Sequence, residues 1–142
     1  MILGIGVDLA DASRFERMLV EYGSRFAERI LAPSERAAYS INGRPIWFLA
    51  NRFAAKEALS KALGTGLRFP VTLHAISVES DAIGKPDFRF HGALPAYLAE
   101  RGVVRCHFCL EPAEGERLRL GLVRARVCPP CRVARNIPLE VV

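Results

Sequence analysis

Residues 45–66 read PIWFLANRFAAKEALSKALGTG, which is the longest helical pattern in the chain. A proline such as Pro45 is tolerated in the first turn of a helix, where its missing N–H costs no hydrogen bond. The sequence Gly64-Thr65-Gly66 is typical of the end of a helix, because glycine accepts the left-handed conformation found there. We therefore predict a helix from Pro45 to about Leu63.

The apolar face of this helix carries one carboxylate. At about 100° per residue, the apolar stripe consists of Ile46, Leu49, Ala50 and Phe53. Glu57 falls in the middle of that stripe, where an ionised carboxylate is costly unless a cation meets it. Lys61 lies one turn further on and could form a structural ion pair with Glu57 at the edge of the core. A second carboxylate nearby would instead make Glu57 part of a cation site, and Asp8 is the candidate.

The segments around the long helix predict a mixed fold. Residues 2–9 alternate aliphatic residues with Gly4, Gly6 and Asp8, which is the period of a strand. One face of that strand is aliphatic, and the other leaves room for something to approach its backbone. The further elements that we predict are a helix from Asp11 or Ser13 interrupted at Gly23, a turn at 32–35 opening a short helix, strands at 71–79, 88–91, 103–110 and 117–127, and a helix at 94–101. The fold class is therefore α+β, an antiparallel sheet with one long and several short helices.

Composition limits the class of protein. The 142 residues are 51% hydrophobic and 25% charged, which is ordinary for one globular domain and excludes collagen-like, low-complexity and disordered chains. No apolar run approaches the roughly 18 residues of a membrane span, and the first residues lack the basic leader of a secretory signal. We therefore expect a cytoplasmic protein without a membrane partner. The net charge of +5 suits an acidic partner or a phosphorylated substrate.

Asp8 and Glu57 together suggest a site for a hard cation. Magnesium typically takes one or two protein carboxylates and fills its other positions with waters and substrate phosphates. Arg52 and Lys56, one turn apart on a neighbouring face of the long helix, could meet such phosphates. The alternative for this pair is a solvated helix flank.

Four segments of the sequence resemble a known family. GIGVDL at 4–9, FAERIL at 26–31, FLANRFAAKEALSKALGTG at 48–66 and GKPDF at 84–88 are similar to the holo-(acyl-carrier-protein) synthases, the small trimeric class of 4′-phosphopantetheinyl transferases. The resemblance covers residues 1–107 and implies the fold of that family. It implies an enzyme that transfers the 4′-phosphopantetheine group of coenzyme A to a serine of apo acyl carrier protein and releases adenosine 3′,5′-bisphosphate. It also implies a homotrimer with active sites at the subunit interfaces.

The resemblance implies a role for each matching residue. Asp8 and Glu57 would be catalytic as the Mg²⁺ ligands, with Lys61 beside the pyrophosphate. The proton of the carrier serine would go to Glu57 through a water, or to a water on the metal. The residues implied to contact coenzyme A are Arg52, Phe53, Lys56, Gly64, Thr65, Gly66, Lys85, Pro86 and His107. Arg14 and Arg25 match basic positions that receive the acidic carrier protein.

The C-terminal segment departs from the family. We divide the chain into a transferase domain, 1–107, and an atypical Arg- and Cys-rich segment, 108–142, that completes or replaces the last strands. A tail of foreign sequence, such as a shifted reading frame would give, is one explanation, and it would leave a catalytically impaired family member.

Zinc is the other explanation for the tail. The four cysteines of the chain are Cys106, Cys109, Cys128 and Cys131, and their C-x2-C-x18-C-x2-C spacing fits a four-thiolate zinc site. With the basic tail, such a site would suit a small nucleic-acid-binding module, which is the alternative function. A strand at 103–110 would send Cys106 and Cys109 to opposite faces, so we expect reduced thiols, no zinc and no nucleic-acid partner.

Overall fold

The fold is built around one long helix. The computed structural model describes residues 3–80, 83–112 and 121–128. The elements in chain order are β1 (Gly4–Ala10), α1 (Ala12–Tyr22), α2 (Ser24–Ile30), a 3-10 turn (Pro33–Glu35), α3 (Arg36–Ser40), α4 (Pro45–Ala62), β2 (Ile76–Ser80), β3 (Pro86–Phe90), α5 (Leu94–Glu100), β4 (Arg105–Pro112) and β5 (Gly121–Cys128). The predicted α+β class is confirmed. No helix in these ranges is long and apolar enough to span a bilayer.

The ends of α4 agree with the sequence pattern. The helix begins at Pro45 and ends one residue before the predicted Leu63. The glycine-rich turn caps the end of the helix. There the backbone N–H groups of Thr65 and Gly66 donate to the carbonyl oxygen of Ser60 at 3.1 and 3.3 Å. Gly64 has a φ of 70°, which a residue with a side chain rarely adopts. The glycines therefore end the helix for the predicted reason.

More of the surface of α4 is buried than the predicted apolar stripe covers. The helix packs against β1, β5, α1, α2 and β2, so its buried residues are not confined to one face. They include Leu49, Ala50, Ala54, Ala55, Lys56, Ala58, Leu59 and Ser60. A helix surrounded in this way has no single polar side. Glu57 lies at its partly exposed rim, and the charge that is buried on α4 belongs to Lys56.

The five strands form two antiparallel sheets. One sheet has the order β1-β5-β4, and β2 pairs with β3 in a separate hairpin. β5 is the central strand, with Gly6 opposite Ala125 on one side and Cys106 opposite Val127 on the other. The boundary that we predicted at 107 falls within β4. The described part of segment 108–142 thus belongs to the same sheet as the N-terminal strand.

Two glycines allow β1 to lie directly on α4. A Cβ atom at Gly4 would come within 1.9 Å of the Ala62 carbonyl oxygen, and one at Gly6 within 1.9 Å of the Ala58 carbonyl oxygen. Only glycine permits this approach, as the open face of the strand pattern indicated. Because side chains alternate along a strand, Asp8 shares the glycine face and points toward α4.

The other face of β1 is exposed in the single chain. Its aliphatic residues are Leu3, Ile5, Val7 and Leu9, and Ile5 is 62% exposed. Among the described strands, β1 pairs only with β5. The most N-terminal strand therefore presents an apolar face and one unpaired edge.

One strand begins later than predicted. The apolar run from Val71 suggested a strand over 71–79, whereas β2 starts at Ile76. The Ala75 N–H donates to the Thr72 hydroxyl at 3.1 Å within a turn, so this stretch is not extended. Val71 is buried although it lies in a loop. The short apolar run that begins at Val71 therefore indicates burial, not strand conformation.

Candidate active site

Asp8 and Glu57 share one cation where β1 crosses α4. The Lys61 ammonium group donates to Asp8 Oδ1 at 2.5 Å. That hydrogen bond, together with the charges of Asp8 and Glu57, raises the pKa of Lys61 above its usual value. Both carboxylates are therefore close enough to act on the same ammonium group. The predicted Glu57–Lys61 pair is replaced by a pair between Lys61 and β1.

The chemistry of this donor set fits a divalent cation. Two carboxylates on facing elements act on the same ammonium group, and magnesium typically uses one or two such ligands. The Asp8 side chain is 13% exposed and that of Lys61 is 50% exposed. The Lys61 ammonium group thus takes the place that a bound cation would have beside Asp8. Its half-exposed side chain is free to move away into solvent. Asp8 and Glu57 are the residues that would hold the metal.

The structure does not bring Lys56 to this site. Its ammonium group is fully buried and donates to Glu35 Oε2 at 2.5 Å, to the Ile30 carbonyl at 2.8 Å and to the Leu73 carbonyl at 2.9 Å. An ammonium group has three N–H donors, and three protein acceptors match them. The predicted contact of Lys56 with coenzyme A is therefore not supported, because no donor is left for a phosphate. Burial lowers the pKa of Lys56, which the charge of Glu35 partly offsets.

Glu35 is the buried residue that sequence reasoning missed. Its carboxylate also accepts from the Ala32 N–H at 2.8 Å and from the Val78 N–H at 2.8 Å. The sequence carries a weak signal for the first of these contacts, since a glutamate in the first turn often bonds back to the backbone before that turn. Nothing in the local pattern indicates the contacts with β2 or Lys56.

Arg52 lies at the wall of a cavity of about 500 Å³. The cavity is also lined by Lys85 and Pro86, two of the residues implied to contact coenzyme A. The guanidinium carbon of Arg52 is 3.8 Å from the centre of the Phe48 ring. Its buried Nε has no hydrogen-bond partner among the described residues, and burial lowers the pKa of Arg52. A buried cation with a free donor is suited to an anionic ligand.

His107 belongs to an adjoining cavity of about 200 Å³ that shares Lys85 and Pro86 with the first. Arg89 and Arg105 also line it, beside Glu79 and Asp87. Partial burial lowers the pKa of His107, and the charges of Arg105 and Lys85 lower it further. The structure thus brings Arg52, Lys85, Pro86 and His107 together around one groove.

Within one chain, the carboxylates and the groove lie on different sides of α4. Arg52 and Lys61 are nine residues apart, which is a rotation of about 180° around the helix. Neither described cavity is lined by Asp8, Glu57 or Lys61. The single chain therefore does not bring the two groups of residues to either of these cavities.

The remaining predicted site residues lie at the periphery. Phe53 is partly buried and its ring packs against that of Phe15 at 5.5 Å on α1. The 64–66 turn is partly exposed at the C-terminus of α4, on the side of Lys61. Arg14 on α1 and Arg25 on α2 are exposed. These positions are compatible with ligand and partner contacts but do not converge on either cavity.

The described cysteine is not suited to bind a metal. Cys106 is buried, and desolvation raises the pKa of its thiol to about 12. The ligating form of cysteine is the thiolate. Over the described ranges, no cluster of three or more His, Cys, Asp or Glu side chains could hold a metal ion. Cys131 and the side chains of Cys109 and Cys128 lie outside the described part of the chain.

Known proteins share this fold and sequence. A family model for the 4′-phosphopantetheinyl transferase superfamily matches residues 4–121. A holo-[acyl-carrier-protein] synthase from Nitrosospira multiformis is 49% identical over 110 residues, which are 78% of this chain and 88% of that protein. The crystal structure of the synthase from Neisseria meningitidis has a TM-score of 0.80 and 41% identity, and the match covers 88% of this chain and 98% of that one.

A second solved structure carries a ligand. The holo-(acyl-carrier-protein) synthase from Bacillus anthracis, solved in complex with coenzyme A (3′,5′-ADP), has a TM-score of 0.71 and 31% identity, covering 92% of this chain and 99% of that one.

The match over most of the chain defines the class of protein: the chain belongs to the 4′-phosphopantetheinyl transferase superfamily. Its relatives at about half identity place it, within that superfamily, among the holo-[acyl-carrier-protein] synthases. The resemblance found in the sequence is thereby confirmed, and the chain is an enzyme.

Proposed function

We propose that the chain transfers the 4′-phosphopantetheine group from coenzyme A to a serine of apo acyl carrier protein, with Mg²⁺ held by Asp8 and Glu57. The observation that supports this most directly is the pairing of Asp8 with Lys61 beside Glu57, in a chain of this family. The alternative of a zinc-bearing nucleic-acid module has no comparable support in the described residues.

The reaction breaks a phosphoanhydride bond of coenzyme A and forms a phosphoester with the carrier serine. The hydroxyl oxygen of the carrier serine bonds to the phosphorus that bears the pantetheine arm, and the pyrophosphate bond to adenosine 3′,5′-bisphosphate breaks. When bound, Mg²⁺ supplies Lewis-acid neutralisation of charge on the pyrophosphate. An ammonium group is charged at neutral pH, so Lys61 can donate a charged hydrogen bond to a phosphate oxygen. Glu57 can take the serine proton through a water.

The groove accounts for the other end of coenzyme A. Arg52, Lys85 and His107 offer donors for phosphate oxygens, and the family resemblance implies further coenzyme A contacts for the 64–66 turn and Phe53. The free Nε of Arg52 and the basic lining of both cavities support this assignment. Lys56 is not included.

The separation of the two groups of residues supports a homotrimer with shared sites. A ring of copies would join the carboxylates of one chain to the groove of the next, and would cover the aliphatic face of β1. Light scattering tests this, with Ile5→Glu as the variant and Val20→Glu as the control at an exposed position on α1. We expect a trimer that Ile5→Glu breaks, with loss of activity. An active monomer would refute the shared site.

The carrier protein is proposed to dock on α1 and α2. Arg14 and Arg25 are exposed there and would meet an acidic partner. The cytoplasmic location expected from the sequence stays a prediction.

The direct experiment is a mass measurement. The purified chain is mixed with coenzyme A, Mg²⁺ and apo acyl carrier protein, and the carrier is weighed. The carrier should gain one phosphopantetheine group, and chelation of Mg²⁺ should abolish the gain. A folded sample that adds no mass would contradict the proposed activity.

A further inference from the structure

The Glu35 carboxylate is buried and accepts hydrogen bonds from three donors. The proposed reaction uses neither Glu35 nor these donors. Glu35 is 2% exposed and accepts from the Ala32 N–H, the Val78 N–H and the Lys56 ammonium group. A carboxylate accepting this many bonds is well satisfied, so its burial is tolerated. It connects the 3-10 turn to α4 and to β2.

Lys56 extends the same connection to two more segments. Its bonds to the carbonyls of Ile30 and Leu73 reach the C-terminal end of α2 and the loop between α4 and β2. Glu35 and Lys56 therefore form one buried cluster, hereafter the Glu35–Lys56 pair, that fixes four segments around the middle of α4.

Three of the four segments that the pair fixes contain or lead to residues proposed to bind a substrate. Val78 lies in β2, whose hairpin with β3 carries Lys85 and Pro86 at the groove. Leu73 lies in the loop between α4 and β2, which also contains the 64–66 turn. Ile30 ends the helix that carries Arg25. Lys56 itself is adjacent to Glu57 in α4.

Glu35 also balances the charge of Arg52. Arg52 and Lys56 are one helical turn apart, and the charge of Glu35 favours the protonated form of both. Without Glu35, two cations would face each other in a poorly solvated place, where repulsion is little screened. We expect the Arg52 side chain to leave its position over Phe48 in that case, which would change the groove.

We propose that Glu35 and Lys56 are positioning residues for coenzyme A: the buried pair holds in place the β2–β3 hairpin and Arg52, which line the same groove. The proposal rests on the proposed function, since it assumes that the groove binds coenzyme A. It predicts that loss of the pair weakens the binding of coenzyme A, whereas a loss of folding stability elsewhere in the core does not.

Glu35→Gln is the principal variant. It keeps the shape of the side chain and removes the charge that holds Lys56 and Arg52. The matched control is Leu94→Ala, because Leu94 is a fully buried core residue of α5, a helix to which neither Glu35 nor Lys56 makes a hydrogen bond. Both variants lower stability, and only the first is expected to change the groove.

The measurements are the KM for coenzyme A, kcat, and calorimetric binding of adenosine 3′,5′-bisphosphate, all at a temperature where each variant is folded. Glu35→Gln should raise the KM for coenzyme A and the Kd for the bisphosphate at least tenfold, with kcat within threefold of the unmodified chain. Leu94→Ala should leave both constants unchanged. An unchanged Kd in folded Glu35→Gln, or an equal shift in Leu94→Ala, would overturn the proposal.

A second variant covers a failure of Glu35→Gln to fold. Glu35→Gln combined with Lys56→Met leaves no buried charge from the pair, and such replacements are often tolerated. It should still raise the KM for coenzyme A, but by less than Glu35→Gln, because the repulsion between Lys56 and Arg52 is removed as well. A normal KM would again overturn the proposal. If instead the unmodified chain fails to modify the carrier, the proposed function has failed, and the binding measurement still tests the pair.

Discussion

Two lysines of α4, five residues apart, each pair with a carboxylate at 2.5 Å, and the two pairs differ in depth. Both side chains of the Lys56–Glu35 pair are 0% exposed. In the Lys61–Asp8 pair, the lysine is 50% exposed and the aspartate 13%. Burial lowers the pKa of Lys56, whereas the hydrogen bond to Asp8 raises that of Lys61.

The difference in depth determines what each pair can do. The inner pair has its hydrogen bonds satisfied by protein, so it organises structure and cannot exchange partners. The outer lysine can move into solvent and expose Asp8 to another cation. The two pairs have the same contact distance, but the inner pair is a structural connection and the outer pair lies at the proposed cation site.

The largest effect should come from removing the outer carboxylates. Asp8→Asn and Glu57→Gln should each lower kcat/KM about a thousandfold, because ~4 kcal/mol of transition-state stabilisation is a reasonable share for a bound metal. The midpoint of thermal unfolding should change little. Calorimetric titration with Mg²⁺ in the presence of adenosine 3′,5′-bisphosphate should show weakened binding. Normal turnover in both variants would end the metal assignment, and a loss of stability alone would favour a structural pair.

The same substitution at the two lysines sharpens the comparison. Lys56→Met leaves the Glu35 carboxylate buried without its cation and should lower the free energy of unfolding by about 3 kcal/mol. Lys61→Met should lower it by less than about 1 kcal/mol, since solvent screens an exposed pair, while strongly reducing turnover. Urea denaturation of both variants measures this. Equal losses of stability would show that depth is not what separates the pairs.

Fully exposed cations extend the comparison to the surface. Arg14→Glu and Arg25→Glu should each raise the KM for the acyl carrier protein about tenfold and leave that for coenzyme A unchanged. Added salt should weaken carrier binding to the unmodified chain and affect the variants less. Steady-state kinetics with each substrate varied in turn tests the prediction. A parallel rise in both KM values would indicate a folding defect.

The smallest effect concerns His107, an exposed residue that lines the groove. Its pKa lies below the usual value because of burial and the nearby Arg105 and Lys85, so it is neutral at pH 7. An anion bound among these cations would raise that pKa and favour proton uptake. The affinity for adenosine 3′,5′-bisphosphate should therefore gain roughly threefold more between pH 8 and pH 6 in the unmodified chain than in His107→Asn.

Lowering the pH has the opposite effect on the folding stability of the ligand-free protein. As pH falls below the unfolded value for histidine, the unfolded chain binds the proton first, so the free ligand-less protein loses stability. His107→Asn should remove that part of the acid sensitivity. An identical pH dependence of binding in both proteins would place the anion away from His107.

The local sequence predicted much of the fold. The bounds of α4, the Asp11 cap of α1 and the break at Gly23 follow from residue types that satisfy or interrupt helix ends by local contacts. The glycines of β1 indicated a close approach before the partner was known, and Asp8 and Glu57 were identified as a pair. The helix ends and the glycine face of β1 depend on neighbours in sequence, whereas the Asp8–Glu57 pair joins residues far apart in the chain.

The tertiary structure decided which lysine is buried. Lys56 and Lys61 occur in similar local sequence, and a helical wheel placed Glu57 rather than Lys56 in the apolar stripe. What buries Lys56 is a carboxylate from Glu35, 21 residues earlier, and carbonyls from two other segments. Because burial of a charge depends on partners that only the folded chain assembles, the sequence determined the elements and the family, and the packing determined the roles of the two lysines.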